Sequence, residues 1–216
     1  LFSWMVKHQL RLLRRSIEDM NHGIYDLTGN YEEIATGLSQ YLSVLSKGDE
    51  YLTVSLPSFW HPGRNLGING RFLTMNKLIC QRGATIRRVF LITPEERQND
   101  PHLPKIVQAH LNVMNEIRAG GGQTGEWRIE AGGYYTGFKL IDKNKRDVFL
   151  REGKHFGLWS RQGKVIMIFP IYNEEDTVVS IKFRAALDRS KIKHLREFFI
   201  ALLAESEPLE QYLGTS

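Results

Sequence analysis

One short stretch of the chain gathers the residue types that hold an anion. The segment SFWHPGRNLGINGR carries His61, Arg64, Asn65, Asn69 and Arg71 among three glycines. An arginine guanidinium donates charge-assisted hydrogen bonds to carboxylate or phosphate oxygens. The segment also follows a strand and runs into a helix. In open α/β sheets, ligands bind at that strand end, where backbone N–H groups at a helix N-terminus face negative charge. The chemistry implied is recognition of a small anionic or polyhydroxylated molecule, not bond-making. The plainer alternative is a strand-to-helix loop whose arginines and asparagines are solvated.

Signatures of catalysis are missing from the sequence. It has no Walker-type phosphate loop, no GxSxG nucleophile elbow and no HExxH zinc motif. With one cysteine, Cys80, cysteine pairs for a metal are impossible, and the seven histidines are scattered. Gly121 to Gly125 (GGQTG) lacks the preceding strand of a dinucleotide site. No catalytic residue, metal or cofactor is therefore expected. Cys80 falls in an apolar helical pattern and reads as packing, in a reducing compartment. Arg87 and Arg88 are neighbours in a strand, so they point to opposite faces. At least one of them must pair with an acid or reach solvent. Arg151, His155 and Arg184 lie in or beside later strands and could share a face. Trp60, Trp127 and Trp159 could stack on a ligand or fill the core.

The elements that would position these residues follow from periodicity. Val6, Leu10, Leu13, Ile17, Met20, Ile24 and Leu27 recur at alternating steps of four and three, an a/d heptad stripe. Residues 1–28 are expected to form a coiled-coil-like helix that pairs with its own copy, or else packs on its own domain. Tyr31 to Lys47 reads as a second helix, ended by Gly48. Tyr51–Leu56 and Thr85–Thr93 read as strands around a helix that Gly83 stops near Arg82. Glu95 to Pro104 reads as a surface loop, and Ile106 to Arg118 as a helix. Short strands are then expected at Trp127–Glu130, Phe138–Ile141, Asp147–Arg151, Phe156–Ser160, Val165–Ile171 and Val178–Phe183. A helix from Ser190 to Ala204 and a short one from Ser206 to Leu213 close the chain. The fold class is α/β: one mixed sheet, with a β-α-β first half and an antiparallel second half, and helices on both faces. It is a single domain over 31–216.

Composition narrows the function classes. Hydrophobic residues make up 42% of the 216, enough for a sizeable core and against bulk disorder. The net charge is +5, but the basic runs are short and dispersed: Arg11, Arg14 and Arg15; Arg87 and Arg88; Lys143, Lys145 and Arg146. A dedicated nucleic-acid or membrane surface concentrates charge on one face, so neither partner is expected. The longest apolar run, Val165 to Tyr172, is broken by Pro170 and is far short of the ~18–20 residues that span a bilayer. The chain starts at Leu1 without a methionine, so a longer protein with an upstream domain is expected. The location is expected to be cytoplasmic, including the cytoplasmic part of a membrane-tethered protein.

The succession DEYLTVSLPSFW, NKLICQRGATIRRVFLIT and REFFIALLAESEPLEQYL resembles phospholipase D-like domains over about residues 31–213. Active members of that superfamily use a His-x-Lys motif with the histidine as nucleophile. This sequence has no His-x-Lys; His102 is followed by Leu, Pro and Lys105. The resemblance therefore implies the inactive branch, similar to the effector domains of sugar-responsive archaeal regulators, where a coiled-coil helix feeds a silent domain. The resulting expectation is a non-catalytic sensor in a dimeric signalling or transcription-regulatory protein. Two rivals stand beside it: a hydrolase or nuclease with a non-local site, and a protein-interaction scaffold.

Overall fold

A computed structural model describes residues 24–28, 31–61, 71–120, 133–172, 178–185 and 189–214. Its centre is an eight-stranded sheet. The strands are β1 (Ile24–Thr28), β2 (Glu50–Ser55), β3 (Thr85–Ile92), β4 (Gly133–Leu140), β5 (Gly157–Arg161), β6 (Lys164–Tyr172), β7 (Val178–Ala185) and β8 (Glu207–Pro208). Their spatial order is β1-β7-β6-β5-β2-β3-β4-β8. β2, β3 and β4 run parallel, and every other pairing is antiparallel. The α/β class with a β-α-β first half and an antiparallel second half is thus observed.

The described helices are α1 (Tyr31–Ser43), α2 (Arg71–Gln81), α3 (Pro94–Asn99), α4 (Leu103–Ala119), α5 (Lys143–Arg151), α6 (Arg189–Ala204) and α7 (Glu210–Gly214). Side-chain alternation in the strands divides the core into two layers. Tyr51, Ile86, Phe90, Tyr134 and Phe138 face Ile34 and Leu38 of α1, Phe72 and Ile79 of α2, and Ile106 and Ile117 of α4. Leu52, Val54, Val89 and Leu91 face Leu195, Phe199 and Leu202 of α6. Helices therefore cover both faces. Glu50 fastens the α6 side: one carboxylate oxygen accepts from Arg87 of β3, the other from Arg196 of α6 at 2.7 Å.

Three expectations change. The heptad residues Val6, Leu10, Leu13, Ile17 and Met20 lie outside the described residues, but Ile24 and Leu27 are in β1 and not in a helix. Ile24-Tyr25-Asp26-Leu27-Thr28 pairs rung by rung with β7, from Ile24 opposite Arg184 to Thr28 opposite Ser180. Ile, Tyr and Thr favour strands, and the ladder satisfies an edge of β7 that would otherwise stay open. The domain thus starts before residue 31. Asp147–Arg151, read as a strand, belongs to α5. Asp142 caps that helix by accepting from the backbone N–H groups of Asn144 and Lys145. The loop expected at Glu95 to Pro104 contains α3, closed by a capping box between Thr93 and Glu96. The strand expected at Trp127–Glu130 lies outside the described residues.

Candidate functional site

The loop singled out in the sequence leaves β2 through a single 3-10 turn, Pro57–Trp60, which is wholly buried. His61 follows. Its Nε2 lies 3.0 Å from Oδ2 of Asp100, whose Oδ1 accepts from the backbone N–H of His102 at 2.8 Å. The two imidazoles are 5.0 Å apart. Arg64, Asn65 and Asn69 lie outside the described residues. Arg71 opens α2 and is exposed, on a shallow depression shared with Ser39, Gln40 and Ser43 of α1. Among the described residues His61 and Arg71 thus have different neighbours.

The arginine pair in β3 divides as the alternation requires. Arg87 points to the α6 face and pairs with Glu50. Arg87 thereby meets the requirement that at least one of the two find an acid, and Arg88 points to the other face, where it neither reaches solvent nor meets an acid among the described residues. It is 1% exposed, and among the described residues no carboxylate pairs with it. Nη2 donates to Oδ1 of Asn76 at 3.0 Å, and Nη1 donates to the hydroxyl of Tyr134. The guanidinium carbon sits 4.5 Å from the centre of the Trp60 ring, a cation–π contact. Nε is buried and, among the described residues, has no hydrogen-bond partner.

Proton bookkeeping orders this cluster. Arginine only donates, so the Tyr134 oxygen accepts from Arg88, and the same hydroxyl lies 2.6 Å from Nδ1 of His110. Burial, and then the Arg88 charge, hold the His110 pKa well below the usual value. Burial raises the hydroxyls of Tyr134 and Tyr51, and pushes the Cys80 thiol up to about 12. Every titratable neighbour is therefore uncharged at neutral pH, and the cluster carries one positive charge inside the core. A buried ion without a counter-ion costs several kcal/mol in effective terms.

Beside Arg88 the sheet is thin. Gly157 of β5 pairs with Thr53 of β2, which pairs with Arg88, which pairs with Thr136 of β4. This row of small or polar residues leaves a mostly enclosed cavity of about 20 Å³. Tyr51, Thr53, Ser55 and Arg88 supply its polar wall, and Leu38, Phe59, Phe72, Ile168 and Ile181 its apolar one. The Thr53 and Ser55 hydroxyls are 3.3 Å apart. Gly157 is required here, because a Cβ would lie 2.7 Å from the Tyr51 ring.

The arrangement suits binding. The buried thiol is held protonated and cannot attack. Among the described residues no group of His, Cys, Asp and Glu is placed to hold a metal ion. His155 contacts the carbonyl of Pro170 at 2.9 Å, and the exposed Arg151 ends α5 elsewhere. The side chain of Arg184 lies outside the described set. Trp60 and Trp159 are core residues. Sequence reading missed Asn76, His110 and Tyr134 as partners of Arg88, since they come from three other elements. One signal was present: Ile86, Arg88, Phe90 and Ile92 alternate on one face, so an arginine stands in an apolar row.

No family model matches the chain, and no curated protein matches it. Its structure is similar to that of TrmBL2, an archaeal chromatin protein described as showing a novel mode of DNA binding. The TM-score is 0.47 and the identity 9%, over 95% of this chain and 66% of that one. The chain thus spans about two thirds of the length of that protein.

Proposed function

We propose that the chain is a non-catalytic regulatory domain that senses a small ligand, within a dimeric cytoplasmic signalling or transcription-regulatory protein. The phospholipase D-like ancestry, the pairing of residues 6–20 with a second copy and an upstream output domain belong to this proposal. One observation carries it: a buried arginine at the middle of the sheet, with no carboxylate partner among the described residues and a small polar cavity beside it. The absence of His-x-Lys from the sequence agrees with a silent site. The residues around that arginine come from both halves of the sheet. Differential affinity for two arrangements of those halves is what sensing requires.

A panel of neutral sugars, sugar phosphates and short carboxylates, screened by thermal melting, tests the sensing claim. At least one class is expected to raise Tm saturably. Analytical ultracentrifugation tests the dimer, and a strictly monomeric chain at high concentration overturns that part.

The His61–Asp100 pair favours a second reading, a hydrolase with a non-local site, since an aspartate orients a histidine base in many such sites. The adjoining residues 62–70 (PGRNLGING) supply no Ser, Thr or Cys as a nucleophile. Turnover of a generic phosphodiester such as bis-p-nitrophenyl phosphate, lost in His61→Ala, would establish that reading in place of the first.

A further inference from the structure

We infer that the groove between α1 and α2 binds a small phosphate-bearing molecule, with its phosphoryl group on Arg71 and Ser39. This rests on reading the chain as a sensor of small molecules, and adds where the molecule sits and what it carries. The cavity beside Arg88, at about 20 Å³, has room for about one water, so the ligand itself must lie elsewhere.

Two helices packed side by side build the groove. Arg82, just past α2, donates to the carbonyl of Ser43, the last residue of α1, at 3.0 Å. The helices thus run in the same sense, and Arg71, at the other end of α2, stands toward Thr36 and Ser39. Thr36, Ser39, Gln40 and Ser43 of α1 line one open depression with Arg71 and Thr74 of α2. Its volume is about 500 Å³, within the ~300–1,000 Å³ of small-molecule sites. Ser39 is its most telling member. It is 6% exposed, and its buried Oγ has no hydrogen-bond partner among the described residues. A buried hydroxyl is ordinarily satisfied, so one left open in the wall of a groove is a place for a ligand atom.

Charge and donors select the ligand. Among the described residues that line the groove, Arg71 supplies the one formal charge. Its guanidinium donates in a fork that matches phosphate oxygens. The hydroxyls of Thr36, Ser39 and Thr74 and the amide of Gln40 add donors for the remaining oxygens. The second negative charge of a phosphate faces water in an open groove and needs no second cation. Ser43 differs. Its Oγ already donates to the carbonyl of Gln40 at 2.7 Å, so toward a ligand it only accepts. A hydroxyl on the body of a phosphate ester meets that need.

A molecule held there bridges α1 and α2. α1 packs against β1 and β7, and so reaches the strand through which the first 23 residues join the domain. α2 carries Asn76, whose side-chain oxygen accepts from Arg88. Both sides of the bridge lead to elements that a sensor must move.

The test measures Tm of the full 216-residue chain at fixed ionic strength, with glycerol 3-phosphate, inorganic phosphate and glycerol in separate titrations. At a hundred times its Kd, glycerol 3-phosphate is expected to give a saturable rise of roughly 5–10 °C, and glycerol none. Inorganic phosphate binding as tightly as the ester identifies the free ion, and the ester binding more tightly identifies the ester; both support the site. Arg71→Gln, at an exposed position, is expected to weaken the apparent affinity about ten- to hundredfold. Ser39→Ala is expected to weaken it about fivefold, while the free chain melts no lower, because the hydroxyl it removes has no partner to lose. Those opposite signs separate a binding role from a structural one. A rise that is equal in both variants, or that glycerol matches, overturns the site. If another class of compound stabilises saturably and no phosphate does, this inference falls while the sensor reading stands. If no class stabilises, both fall.

Discussion

Lowering the pH through 6.5 should destabilise this protein through His110. Its imidazole is fully buried and hydrogen-bonded to the Tyr134 hydroxyl, which in turn accepts from Arg88. Protonating the imidazole would place a second buried cation beside the first. Its pKa in the folded state is therefore depressed, by burial first and the Arg88 charge second. In the unfolded chain the group titrates near 6.5. Below that pH the unfolded state binds a proton that the native state refuses, so stability is fully present above 6.5 and is lost as the pH falls. Integrating the linkage from pH 7.5 to 5.5 gives a loss of about 1.4 kcal/mol for this one histidine. For a chain of this length that is roughly 3–5 °C in Tm. Tyr134 and Cys80, both raised, do not titrate in that window, so they leave the difference clean. Urea unfolding at pH 7.5, 6.5 and 5.5, for the native chain and His110→Asn, reads it directly. The variant starts less stable but loses less, and the two pH-dependences should differ by about 1.4 kcal/mol. Parallel curves would refute the neutral, buried assignment of His110.

Three further outcomes can be measured. Gly157→Ala forces a methyl against the Tyr51 ring, at a distance of 2.7 Å before relaxation; overpacking of this kind costs about 1–3 kcal/mol, readable by urea denaturation. Glu50→Gln removes the negative charge and one of the two oxygens that accept from Arg87 and Arg196; a loss of about 1–2 kcal/mol that shrinks at high salt is expected, and no change would mean the network is idle. Cys80 should resist iodoacetamide at pH 8 in the native state and react on unfolding, because its thiol is buried and its pKa raised to about 12.

The fold was legible wherever the signal was local. TIRRVFLI, closed by Gly83 before it and Pro94 after it, reads as a strand and is β3. The helix over Leu103–Ala119 shows its apolar stripe in sequence and packs by it. Misreadings came where distant partners decided. DVFLR alternates like a strand, yet the Asp142 cap and the pairing of Arg146 with Glu96, fifty residues away, make it a helix. Ile24 and Leu27 complete a heptad on paper, but a strand more than 150 residues downstream claims their backbone. The candidate site divides in the same way. Strand alternation separated Arg87 from Arg88 correctly. It could not show that Arg88 would meet an amide from α2, a phenol from β4 and an indole from the turn after β2, because no spacing rule links those elements.

The pairing of β1 with β7 has a mechanical consequence. The first 23 residues reach the domain through a strand whose rungs lie across its axis. A pull along that axis loads all the rungs together, in shear; a pull across it peels them one at a time. Leu27 stands opposite Ile181, which also lines the Arg88 cavity. The junction is thus stiff in one direction and weak in the other, and its stiff direction ends one residue from the cavity wall.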